Sequence, residues 1–85
     1  VIKEGWLLKK SKSWKKRYFV LFNNVLLYYK DSKKKPKGSI PLSGCQVEKP
    51  DKNCFEIRTD RTLLLQAESE EERKEWVKAI QSAIR

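Results

Sequence analysis

The chain has 85 residues, enough for one small domain with a modest core. Apolar residues make up 39% and aromatics 11%, which excludes a disordered segment, and no apolar run approaches the roughly 20 residues that a membrane-spanning helix needs. The net charge is +9, and it is uneven: residues 1–37 hold twelve basic and two acidic side chains, while residues 38–85 hold eight and nine.

The opening Val1-Ile2-Lys3-Glu4 lacks the character of a signal peptide. The chain starts within a strand and ends within a helix, so residues 1–85 read as a single domain cut from a larger protein. Strand one is expected over Lys3 to Lys10. A polar loop, Ser11-Lys12-Ser13, leads into strand two, Trp14 to Phe22, which is rich in aromatic and β-branched residues. Asn23-Asn24 forms a tight turn, because asparagine tolerates left-handed backbone angles. Strand three follows from Val25 to Lys30. The stretch Asp31-Ser32-Lys33-Lys34-Lys35-Pro36-Lys37-Gly38 is too polar to pack a core and reads as an exposed loop. Strand four is Ser39 to Leu42, and Pro41 assigns it to an edge or a bulge. Strand five covers Gln46 to Glu48, strand six Cys54 to Arg58, and strand seven Thr62 to Ala67. Seven short strands separated by turn signals predict a bent antiparallel barrel or sandwich.

The last segment is helical. Ser69 caps it and Glu72 stands three residues later, as in a capping box. Three glutamates, Glu70 to Glu72, suit the positive end of the helix dipole. Trp76, Val77, Ile80, Ala83 and Ile84 then form one apolar stripe, opposite Lys74, Lys78 and Arg85. Such a helix is expected to plug one open end of the curled sheet, with Trp76 in the core. The fold class is therefore mainly β, seven antiparallel strands capped by one C-terminal helix.

Strand parity points to a site. Alternate residues of a strand share a face. Gly5, Leu7 and Lys9 share one, as do Lys15, Arg17, Phe19 and Leu21, and Leu26, Tyr28 and Lys30. Each set runs from apolar core to a polar or cationic end. Strand one runs out toward Lys9, strand two returns from Lys15, and strand three runs parallel to strand one, so all three cationic ends meet at one mouth. Like charges crowded in a concavity repel, which points to a multiply charged anion as the ligand. Arg17 is the leading candidate, since its fork matches a phosphate with two hydrogen bonds. Lys10, Lys12, Lys33, Lys34 and Lys35 would add attraction to an anionic surface, roughly 1 kcal/mol each. A plainer reading stands beside this one: lysines on a solvated strand edge block aggregation. Trp6 and Trp14 are read as packing residues.

Other chemistries find little support. Cys45 and Cys54 are the two cysteines and histidine is absent, so a structural zinc site lacks ligands; no metal or other cofactor is expected. The cysteines are expected reduced and buried, although one disulfide would also satisfy the count. No nucleophile stands beside a base in a pattern that would make an enzyme. The aromatics of strands two and three divide between two faces, so no base-stacking platform for nucleic acid is expected.

Gly5-Trp6-Leu7-Leu8-Lys9, Trp14-Lys15-Lys16-Arg17-Tyr18-Phe19-Val20-Leu21 and Leu26-Leu27-Tyr28-Tyr29-Lys30 resemble the first three strands of a pleckstrin homology domain. Gly38 to Leu42 resembles its fourth strand, Asn53 to Ile57 its sixth, and Glu71 to Trp76 its helix. The resemblance implies a strongly bent barrel and a phosphoinositide-binding, membrane-recruiting module of a signalling or trafficking protein. By position it carries headgroup contacts onto Lys9, Lys15, Arg17, Tyr28 and Lys37. It also implies a monomer in the cytoplasm, peripheral at the cytosolic face of membranes. Two departures, a four-residue loop from Lys10 to Ser13 and a minimal loop between strands six and seven, imply fewer headgroup contacts. The family also contains protein-interaction modules that use the barrel as a scaffold, so a protein partner is the alternative.

Overall fold

A computed structural model of the chain describes residues 2–30, 35–49, 51–59 and 61–84. Seven strands, β1 (Lys3–Lys10), β2 (Trp14–Phe22), β3 (Val25–Tyr29), β4 (Gly38–Pro41), β5 (Gln46–Glu48), β6 (Cys54–Arg58) and β7 (Thr62–Gln66), precede one helix, α1 (Glu70–Ile84). They form one antiparallel sheet in the order β4-β3-β2-β1-β7-β6-β5. The sheet curls, but β4 and β5 remain its two ends, so a seam runs between them.

The alternation in the sequence determines which residues enter the core. Leu7, Phe19, Leu21, Leu26, Phe55, Ile57 and Leu65 are buried, and each lies on the inner parity of its strand. Asn23 takes φ 53° in the β2–β3 turn, the left-handed geometry expected of asparagine there. Pro41 lies in an end strand, where its missing N–H costs no ladder bond to a further neighbour. The expected ends of β3, β4 and β7 shift slightly: Lys30, Leu42 and Ala67 fall outside their strands, and Gly38 joins β4.

Helix α1 covers one end of the curled sheet. The Ser69 hydroxyl accepts a hydrogen bond from the Glu72 N–H at 3.2 Å, which caps the first turn. The Glu72 carboxylate lies 3.8 Å from Lys3 Nζ, so it serves a tertiary contact in place of the second half of a capping box. Trp76 is 1% exposed, and Val77 and Ile80 are buried beside it. Gly5 lies against the Trp76 ring, where a Cβ would meet it at 3.8 Å, an ordinary contact distance. Lys3 then locks helix to sheet: its ammonium is 3.1 Å from Glu75 and 5.2 Å from the centre of the Trp76 ring.

Trp6 and Trp14, read as packing residues, pack on the outer face, where they are 40% and 37% exposed. Their parity explains it, because Trp6 alternates with buried Leu7. Trp6 packs edge-on against Tyr18 at 5.2 Å, and Lys16 and Lys10 lie over the rings of Trp6 and Trp14. The outer face is thus a cross-strand ladder of aromatics and cations. Cys45 and Cys54 are free thiols; Cys45 is buried and Cys54 only partly so. Burial pushes both above the ordinary cysteine range.

Candidate functional site

The end of the sheet away from α1 is built by strand register. Pairing of β1 with β2 sets Leu7 opposite Arg17 and Lys9 opposite Lys15. Pairing of β2 with β3 sets Phe19 opposite Tyr28, and β3 with β4 sets Tyr28 opposite Gly38. Apolar partners occupy the inner half of each column and cations the outer half. The result is a cavity of about 120 Å³ lined by Lys9, Ser11, Lys15, Arg17, Tyr28 and Lys37. All five residues assigned to an anionic headgroup from the sequence line this one space.

Local contacts hold the lining in place. The Lys37 N–H donates to the Tyr28 carbonyl at 2.7 Å, which pins the approach to β4 against the end of β3. The Tyr28 ring packs on Phe19 with centroids 5.7 Å apart, and Lys9 Nζ lies 5.3 Å from its centre. Gly38 is required beneath it: a Cβ at that position would stand 2.6 Å from the Tyr28 ring. The Ser11 N–H donates to Ser13 O at 3.0 Å and tightens the β1–β2 loop over the cavity. Arg17 donates Nη1–H to the Lys16 carbonyl at 2.8 Å, which orients the guanidinium and commits one of its five N–H donors.

The electrostatics are one-sided. Lys37 is held below the ordinary lysine range, first by the charge of Arg17, then by desolvation and by Lys15, Lys30 and Lys9. No carboxylate among the described residues forms a salt bridge with Lys9, Lys15, Arg17 or Lys37. The cavity is small, about 120 Å³, and its lining is cationic. The arrangement suits a polyanion that inserts one charged group and lays its remainder across the mouth.

The surrounding lysines divide. Lys10 ends β1 turned outward over Trp14, Lys12 is exposed on the β1–β2 loop, and Lys35 is exposed ahead of β4. Lys33 and Lys34 lie outside the described residues. Ser11 was read from sequence as loop alone, yet it lines the cavity. Its signal was the spacing, since residue 11 extends the parity of Lys9. The short β6–β7 loop also lies closer than its length suggests. Thr59 and Arg61, joined by an N–H to carbonyl bond of 2.9 Å, line a larger cleft that shares Lys9 and Tyr28 with the small cavity.

Similarity to known proteins follows the same outline. A family model for the PH domain matches residues 1–85. The chain superposes with TM-score 0.92 on the C-terminal PH domain of pleckstrin in complex with D-myo-Ins(1,2,3,4,5)P5, at 43% identity over 99% of this chain and 98% of that one. It is 39% identical to the serine/threonine-protein kinase pakC of Dictyostelium discoideum over 93% of its length, and 40% identical to Rho GTPase-activating protein 22 of Mus musculus over 99%. It spans 19% and 15% of those two proteins.

Proposed function

The chain belongs to the PH domain family, and from that premise we propose that it binds phosphoinositide headgroups and recruits a larger signalling or trafficking protein to the cytosolic face of membranes. The observation that carries this reading is the convergence of Lys9, Lys15, Arg17 and Lys37 on one small cavity with Tyr28 as its aromatic wall. Uncompensated cations in a concavity gain most from an anion carrying several charges. The pleckstrin domain that matches over nearly its whole length was solved with an inositol pentakisphosphate, which supports the same ligand class here. In this reading Arg17 clamps a phosphate with its remaining donors, Lys9, Lys15 and Lys37 supply charge, and Tyr28 offers its hydroxyl. Lys10, Lys12 and Lys35 add attraction to an anionic bilayer. The role is binding, with no reaction to catalyse. No helix among the described residues is long and apolar enough to cross a membrane.

The test is sedimentation with phosphatidylcholine–phosphatidylserine vesicles, with and without phosphoinositide. Arg17→Ala is expected to lose about 2–4 kcal/mol of phosphoinositide-dependent binding. Equal sedimentation of mutant and parent would remove the cavity from the account.

A further inference from the structure

The larger cleft beside the phosphate cavity measures about 680 Å³, within the usual range of ligand sites. Gly38, Ser39, Ile40 and Pro41 all line it. Residues of both parities line a space together only where it runs along the side of a strand, not across one face. The cleft therefore follows the free edge of β4, for roughly 13 Å at a strand's rise per residue. Its far wall is the β6–β7 hairpin, including Ile57, Thr62 and Leu63. An antiparallel edge strand leaves alternate N–H and C=O groups without a ladder partner.

We infer that this cleft, where β4 faces the β6–β7 hairpin, is a docking groove for an extended acidic peptide, which adds to β4 as a further strand. The floor is apolar, with half-buried Ile40 and Leu63 to receive alternate side chains. The rim is cationic, with Lys9 and Arg61, and no acidic residue is among the described residues that line it. An apolar floor under a basic rim matches a segment that alternates apolar residues with Asp or Glu. Pro41 limits the pairing to the Gly38 end of the strand, because it has no N–H to donate. That is the end where Lys9 lies, over the Tyr28 ring opposite Gly38. The cleft and the phosphate cavity share Lys9 and Tyr28, so a peptide and a polyphosphate compete for the same ammonium. The docking stands independently of the headgroup reading; only the competition rests on it.

The experiment is to pan a random-peptide display library on the domain and titrate the synthesised winners into isotope-labelled protein. Enriched peptides are expected to alternate acidic with β-branched or aromatic residues and to shift the amides of Ser39, Ile40, Thr62 and Leu63. Arg61→Glu is expected to weaken them about fivefold or more, while its melting temperature stays at the parent level. Saturating inositol hexakisphosphate is expected to weaken them as well. The groove is refuted if nothing enriches, if the winners shift amides elsewhere, or if their affinity ignores Arg61→Glu. It is equally refuted if anionic vesicles, and no peptide, shift the cleft amides. Retained phosphoinositide binding alongside any of these results would leave the headgroup reading intact.

Discussion

Lys3 and Lys9 lie on the same side of the same strand, six positions apart, and their surroundings are opposite. Lys3 meets Glu72 and Glu75 and sits over Trp76, so its charge is matched and its stem is packed. Lys9 sits over Tyr28 among Lys15, Arg17 and Lys37, with no carboxylate from the described residues bridged to any of them. One end of the sheet is finished by the protein itself. In the proposed reading, the other end is finished only when an anion arrives. The difference separates residues that hold the fold from residues held in readiness by it, although composition and strand position are alike.

Several changes would break or sharpen that contrast. At the closed end, Trp76→Ala removes the largest fully buried side chain and is expected to cost about 3–5 kcal/mol in chemical denaturation. That is a large share of a small domain's stability. At the open end, the comparable loss belongs to binding: the Arg17→Ala deficit should appear in vesicle affinity, with the denaturation midpoint hardly moved. Between the two ends lies Gly38→Ala, whose added methyl must displace the Tyr28 ring. We expect about 1–3 kcal/mol of destabilisation together with weakened headgroup binding, read by melting and titration on one sample. If only stability falls, Tyr28 does not shape the cavity.

The smallest effect concerns protons. Lys37 has a lowered pKa in the folded chain, while the unfolded chain keeps the usual lysine value near 10.5. Between those two values the unfolded state binds more protons, so this residue's contribution to stability rises with pH across that window. Below the folded value the repulsion is fully present. A bound polyanion reverses the sign by favouring charged Lys37. Headgroup binding should therefore take up protons in the alkaline range and weaken as pH climbs through it. Calorimetry in buffers of different ionisation enthalpy would read the uptake, and Lys37→Arg should reduce it.

Much of this was legible in the chain. Four strand ranges, those of β1, β2, β5 and β6, follow directly from alternation and turn residues, and Pro41 announced an end strand. Parity alone gathers Lys9, Lys15, Arg17 and Tyr28, because register between hairpin-linked strands is local. The outward placement of Trp6 follows from the same parity: the even positions of β1 face outward, where a tryptophan packs against Tyr18 and supports Lys16. The seam was not legible in the same way. Whether β4 closes onto β5 depends on curvature accumulated over the whole sheet, and no short window of sequence encodes it.

The most direct test pairs the two lysines. Lys3→Met and Lys9→Met each keep most of the apolar stem and remove the charge. Melting temperatures would be measured with and without inositol hexakisphosphate. The account predicts that free Lys3→Met melts lower, by the equivalent of about 1 kcal/mol, and keeps the full ligand-induced rise. Free Lys9→Met should melt at or above the parent and lose much of that rise. A Lys9→Met protein that is destabilised when free, yet gains as much from the ligand as the parent does, would contradict it.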